Sequence, residues 1–360
     1  MKLGIIGCGN ISDAYFSGAI LAKNISIIAC SDINNDTAIK KAKLYGIEAL
    51  NISELLSNND IELIINITNP QSHKEVTLSI LNSGKHVYSE KPLALSVSDG
   101  LEIIKASKDT GYRVGCAPDT FLGSGIQSTI KGLNEHKIGS IFGGSVMFLC
   151  PGHESWHPNP EFYYLKGGGP VMDMAAYYIT ALVNMLGPVK TVVGKVTNGF
   201  EKRVCTSKER NGDILEVEVP THCTSILEFG SGAIINMVMS FDVQNSDITP
   251  FQFWGTHGTM NVPDPNTFEG RPMIKMKNED NWKTLHYNFA KNARIFGVVD
   301  MVRAVKDNRP HRANGDLALH VLETMIACEK SSIIGKPIKI QNICEIPKPL
   351  ELGLKKWEID

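Results

Sequence analysis

The sequence has no long hydrophobic run, no excess of one charge, no paired-cysteine motif and no low-complexity tract. Each absence removes a class of protein. The longest nearly continuous apolar stretch, Ile61 to Ile67, already contains Glu62 and Asn66 and is far short of the ~20 residues needed to cross a bilayer. No membrane partner is expected. Basic residues number 36 against 38 acidic, a formal net charge of −2, which leaves little to displace phosphate counterions, and no nucleic-acid partner is expected. The eight cysteines form no C-x-x-C pair, and several lie in apolar strand-like runs, where Cys acts as a small hydrophobe. That usage fits a reducing cytoplasm. The N-terminus reaches a glycine turn at Gly7, too soon to supply the apolar region of a signal peptide. Cys205, His222 and Cys223 form the one Cys/His grouping, and their spacing matches no standard zinc arrangement, so no metal is expected.

At roughly 100–200 residues per domain, 360 residues suggest two domains. Up to about residue 119, short β-rich runs alternate with segments of helical period, the pattern of βαβ units around a parallel sheet. Strands are expected over Lys2–Ile6, Ile25–Ser31, Glu62–Thr68, His86–Ser89 and Arg113–Cys116, and helices over Ile11–Leu21, Asp36–Tyr45, Lys74–Asn82 and Ser96–Thr110. After Pro118 the runs lengthen and alternate, with a hairpin signal in Gly230-Ser231-Gly232 between Thr224–Phe229 and Ala233–Phe241. This predicts an α+β domain with an open, mostly antiparallel sheet and helices near Pro170–Leu186, Ala293–Lys306 and Asp316–Ile334. Glu201–Asp213 reads as a polar surface excursion, and the tail from Gln341 as an extended arm. The expected domains are 1–119 and 120–360. An open sheet needs its exposed face covered, which predicts a homodimer or homotetramer.

Gly7-Cys8-Gly9-Asn10-Ile11-Ser12 stands between the first strand and the first helix in a G-x-G-x-x-small pattern. Gly7 permits a tight turn, Gly9 lets a pyrophosphate approach the backbone, and the N–H groups through Asn10 and Ile11 open the helix toward it. Asp32 ends the second strand 25 residues beyond Gly7, where dinucleotide-binding folds place the carboxylate that accepts from the ribose hydroxyls. With Ile33, Asn34 and Asn35 beside it, no Arg offsets its repulsion of a 2′-phosphate, so the expected cofactor is NAD rather than NADP. Ligands of such sheets collect beyond the carboxyl ends of the strands. There, Thr68-Asn69-Pro70 with His73 follows one strand and Glu90-Lys91-Pro92 follows the next. Lys91 is the candidate catalytic cation. Further on, Gly167-Gly168-Gly169-Pro170 leads into Asp173 and Tyr177, which share a face at helical i, i+4 spacing.

The N-terminal glycine motif, Glu90-Lys91-Pro92, and the glycine run ahead of Asp173 and Tyr177 together resemble the Gfo/Idh/MocA family of NAD(P)-dependent oxidoreductases over nearly the whole chain. Gly255-Thr256-His257-Gly258-Thr259 resembles that family's G-T-x-G turn, and Arg309-Pro310-His311-Arg312 a late segment. The resemblance implies a Rossmann doubly wound parallel sheet followed by the α+β domain. It also implies oxidation or reduction of a hydroxyl or ketone of sugars, inositols and related polyols, with Lys91 beside the nicotinamide. Many members end the D-x-x-x-H motif in His. Tyr177 stands there, as in the branch that includes glucose-fructose oxidoreductase and the dihydrodiol and xylose dehydrogenases. A phenol with an ordinary pKa of about 10 is lowered by a nearby cation, which makes proton transfer by a Tyr–Lys pair workable.

The stretch from Pro151 to Tyr164 holds His153, Trp156, His157 and Tyr164, aromatic faces and hydrogen-bonding groups suited to a sugar ring, and is the expected substrate loop. Tyr177 is expected to move the hydroxyl proton. Lys91 polarises the oxygen, and Asp173 bonds a neighbouring hydroxyl or positions Lys91. Two rival readings are a glycoside-cleaving enzyme that uses NAD for transient sugar oxidation and a nucleotide-binding protein without catalysis.

Overall fold

A computed structural model describes all 360 residues. In the first third, strand and helix alternate: β1 (Lys2–Ile6), α1 (Ser12–Leu21), β2 (Ser26–Ser31), α2 (Asn35–Tyr45), β3 (Glu48–Ala49), α3 (Ile52–Ser57), β4 (Leu63–Asn66), α4 (His73–Asn82), β5 (His86–Ser89), α5 (Val97–Thr110) and β6 (Val114–Cys116). The strands form one parallel sheet in the order β3-β2-β1-β4-β5-β6. All four residues of β4 are buried, as in a parallel sheet covered on both faces. Strand order reverses at β1, so the loops after β1 and β4 part there and leave a crevice. Sequence analysis missed β3 and α3, whose two and six residues are too short for a period to show.

The chain continues with α6 (Ser124–Asn134), β7 (Ile141–Leu149), α7 (Ala176–Leu186), β8 (Val189–Thr197), β9 (Lys202–Val204), β10 (Ile214–Glu216), β11 (His222–Phe229), β12 (Ile234–Ser240), β13 (Phe251–Gly255), β14 (Gly258–Asn261), β15 (Met273–Met276), β16 (Lys283–Thr284), α8 (Phe296–Lys306), α9 (Gly315–Ile334) and β17 (Ile338–Lys339). Nine strands form an open sheet, β16-β15-β14-β13-β7-β12-β11-β8-β17. It is antiparallel except for the β7–β12 pair. Inward residues alternate with outward ones, as the strand repeat requires: Cys223, Ser225, Leu227 and Phe229 of β11 are buried, and Ile226 between them is 43% exposed. The expected Pro170–Leu186 helix begins as a π-helical turn over Val171–Ala175 before α7 takes over. No helix is long and apolar enough to cross a membrane.

The compact units are discontinuous in sequence: residues 1–124, 288–322 and 347–360 form one, and 125–287 with 323–346 the other. A single division near 119 gives way to this arrangement because β6, the edge of the parallel sheet, recruits later chain. Cys116 N donates to Ala313 O, and the His311 ring lies 3.1 Å from Val114 O. The fully buried Asp300 carboxylate pairs with Arg309 and Arg312, and Arg312 reaches Asp360. The expected extended arm is therefore anchored at its end.

Burial pushes the His311 imidazole down to about 4, below the ~6.5 of an exposed histidine. Between those values the unfolded chain binds a proton that the folded chain does not, so stability falls as pH drops through this window. The loss is on the order of 3 kcal/mol, complete below about pH 4. We expect His311→Gln to flatten the stability profile over pH 6.5–4 relative to wild type in urea melts. An unchanged slope would remove His311 from the acid response.

Candidate active site

At the end of β1 the backbone turns through Gly7 with φ +101°, and a Cβ there would sit 2.5 Å from Ile67 O of the loop after β4. Only glycine fits. Gly9 is different: a Cβ would meet nothing within 4 Å, so the protein's own packing does not require glycine there. Gly9 borders a cavity of about 940 Å³ lined by Gly7, Asp32, Ile33, Asn51, Glu54, Thr68 and Asn69 among others, with no Lys, Arg or His. Ser12, in the third small position, closes the loop by donating to Gly9 O at 2.6 Å. No side chain caps α1, whereas Asn34, Asn51 and Ser96 cap α2, α3 and α5. Ser12 N and Ala14 N bond back to Gly9 O and Ile11 O at 3.0 and 3.1 Å, which leaves the positive end of the helix dipole to face a ligand. Asp32 spans the crevice: Oδ2 accepts from Cys8 N at 2.7 Å and Oδ1 from Asn34 N at 2.8 Å. An ionised carboxylate has about four acceptor sites, which leaves capacity for ribose hydroxyls. The glycines, the helix end and the carboxylate fit a dinucleotide.

Of the other expected cofactor residues, Asn10 and Ile11 are exposed beside the loop, and Pro70 opens a short 3₁₀ turn. His73 and Glu90 turn inward instead. The His73 ring lies between two carbonyls, with Nδ1 2.7 Å from Pro92 O and Nε2 3.0 Å from Thr68 O, and burial lowers its pKa. It braces the two loops against each other. Glu90 Oε1 accepts from the Tyr15 hydroxyl at 2.7 Å and from Arg294 at 3.1 Å, and Oε2 accepts from Lys91 N. Burial raises the Glu90 carboxyl, but Arg294, Lys91 and the Tyr15 hydroxyl outweigh it and hold the group below its ordinary range. Glu90 is an internal anion that fixes the turn carrying Lys91. The Lys91–Pro92 peptide is cis. Sequence reading missed Tyr15 and Arg294, which carry no local motif.

In the other unit the glycine run has a steric cause: a Cβ on Gly168 would lie 2.4 Å from Phe162 O, and one on Gly169 2.8 Å from Pro220 O. The run thereby packs the 151–164 loop against the turn bearing Asp173. His153 Nε2 lies 3.9 Å from Asp173 Oδ2. The His153 ring is boxed by Tyr163, Phe241 and Trp156 at centroid distances of 4.1, 4.6 and 5.5 Å. Trp156 is 61% exposed. His157 Nδ1 accepts from Asn159 N, which leaves Nε2 as its donor, and burial lowers its pKa. Tyr177 is buried one turn beyond Asp173. Tyr164, expected at the substrate, is fully buried, its hydroxyl donating to Glu154 and accepting from His153 N. A phenol inside needs such partners.

The profile described as oxidoreductase family, NAD-binding Rossmann fold, matches residues 1–117, and the GFO/IDH/MocA C-terminal domain profile matches residues 127–261. The 1,5-anhydro-D-fructose reductase of Ensifer adhaerens is 22% identical over 348 residues, 94% of this chain and 98% of the relative. An NAD-binding oxidoreductase from Klebsiella pneumoniae superposes with a TM-score of 0.82 at 18% identity, over 95% of this chain and 99% of that one. Levoglucosan dehydrogenase in complex with NADH does so at 0.80 and 16%, over 95% and 100%. Matched along both parts of its sequence and carrying the dinucleotide loop where the first profile lies, the chain belongs to the Gfo/Idh/MocA family of oxidoreductases.

Proposed function

We propose that the protein transfers a hydride between NAD and a carbinol or ketone carbon of a sugar, glycoside or polyol. The observation that carries this reading is the glycine loop, where Gly9 opens into the cavity with no packing reason to be glycine. Relatives named for 1,5-anhydro-D-fructose and levoglucosan support a sugar-derived substrate. Bound NAD supplies the hydride acceptor. Gly7, Gly9, Asn10 and Ile11 present backbone to the pyrophosphate, Asp32 accepts from the ribose, and Thr68, Asn69 and Pro70 border the nicotinamide side. Tyr177 Oη takes the hydroxyl proton, Lys91 Nζ polarises the same oxygen, and Asp173 orients a neighbouring hydroxyl. His153, Trp156 and His157 face the ring of the substrate. A cytoplasmic location is supported by eight cysteines without a disulfide.

The exposed face of the open sheet supports self-association. Across it Val193 pairs with Ile226 and Ile234 with Glu228, and the three aliphatic side chains are 40–50% exposed. We expect light scattering at micromolar concentration to give a dimer or tetramer, and a clean monomer mass would refute this.

Absorbance at 340 nm with NAD and a panel of hexoses, inositols, anhydro sugars, glycosides and their keto forms tests the reaction. Release of an aglycone without NADH accumulation would instead indicate glycoside cleavage through transient oxidation. With a substrate in hand, Tyr177→Phe should keep NAD affinity and lose about 10²–10⁴ in turnover. Lys91→Ala should lose at least as much, and the double variant no more than the worse single, because the groups act as one unit. Turnover of Tyr177→Phe within a few-fold of wild type would return the proton to Lys91 or to His153 and His157.

Calorimetry should find NAD bound more tightly than NADP, because Asp32 and Glu54 line the cavity without a cation. Replacing Asp32 with Ala together with Ile33→Arg should relax or reverse this order. Equal affinities in the wild type would overturn the role given to Asp32.

A further inference from the structure

The polar stretch read as a surface excursion is built around a buried charge. β9 and β10 pair only with each other, Arg203 opposite Leu215, and a two-stranded hairpin is marginal alone. Its flanking residues Lys202 and Val204 face outward, while Arg203 is 5% exposed. The Arg203 guanidinium donates through one nitrogen to Pro151 O and Glu154 Oε1, both at 3.0 Å, and through another to Phe241 O at 2.6 Å and to Asp242. Glu154 also accepts from the Tyr164 hydroxyl, which in turn accepts from His153 N. Glu154 O receives Thr206 N and Ser207 N, and Arg210 of the same excursion pairs with Glu161.

These bonds converge on one residue. Pro151 and Glu154 bracket His153, and Phe241 is one wall of its ring box. We infer that Arg203 is a positioning residue: its guanidinium sets the 151–164 loop so that His153 stands beside Asp173 and Trp156 faces outward, and so helps to determine substrate affinity. The inference rests on the reading of that loop as the substrate side. A planar fork satisfies four acceptors from two segments at once, which a lysine ammonium with three donors and no fixed geometry does not. Two carboxylates held at one site also need the cation to remain charged.

The test is Arg203→Lys in the full-length protein, read two ways. Hydrogen exchange needs no substrate: amides of residues 152–164 should exchange about tenfold or more faster, as expected when charge-assisted bonds holding a local unit are lost. NAD affinity by calorimetry should be unchanged. With the substrate identified at 340 nm, KM should rise about tenfold while kcat stays within about threefold, the pattern of lost binding that ground and transition states share. Unchanged exchange in folded Arg203→Lys overturns the proposal even if no substrate is found, so its failure is distinct from failure of the oxidoreductase reading. So does an equal fall in kcat and kcat/KM with KM unmoved. If Arg203→Lys does not fold, Tyr164→Phe severs the link from Glu154 to His153 N and leaves the Arg203–Asp242 pair. It should give the same changes to a smaller degree, and normal exchange and KM there overturn the proposal.

Discussion

The first unit depends on one close approach. Because Gly7 passes so near Ile67 O that no side chain fits, β1 and β4 stay paired to their last residues and their loops diverge at once. The left-handed turn at Gly7 then aims the start of α1 at the crevice, with no side chain capping it. Asp32 fastens the other rim by bonding Cys8 N. A backbone constraint of a few ångströms thus produces a concave pocket with no basic side chain in its lining.

The buried charges share a logic. Removing an ion from water is costly unless partners surround it, and three of them are well surrounded. Asp300 has two arginines, Glu90 has Arg294 and Tyr15, and Arg203 has two carboxylates and two carbonyls. Their positions differ in consequence. The Asp300 group ties distant sequence to an edge strand, whereas the Glu90 and Arg203 groups lie directly beneath segments that carry Lys91 and His153. Internal ion pairs therefore hold the two candidate loops, which otherwise have little regular structure.

How much of this was legible follows the range of the interactions. The parallel strands, the glycine loop and Asp32 are local patterns of a few residues, and the structure has the strands with ends shifted by no more than two residues. Glu90 and His73 stand out in the sequence as loop positions beside the expected cofactor, but their partners Arg294 and Pro92 O, 204 and 19 residues away, do not. Tyr164 looked like a stacking surface because composition does not tell a buried phenol from an exposed one. Arg203 was hidden for the opposite reason. Its neighbours Lys202 and Val204 are exposed, and only strand alternation in a three-residue segment sets it apart. The π-helical turn at Asp173 is likewise invisible to a 3.6-residue period.

The base-free lining of the cavity bears on how the protein holds an anionic ligand. With no full positive charge among the lining side chains, attraction for the pyrophosphate comes from oriented N–H dipoles at contact distance. Such forces decay within one helical turn, well inside the Debye length of ~8 Å at physiological ionic strength. The pocket's own lining, with Asp32 and Glu54 as its formal charges, therefore offers no positive side chain to draw nucleotides from a distance, and its selectivity is exerted at contact.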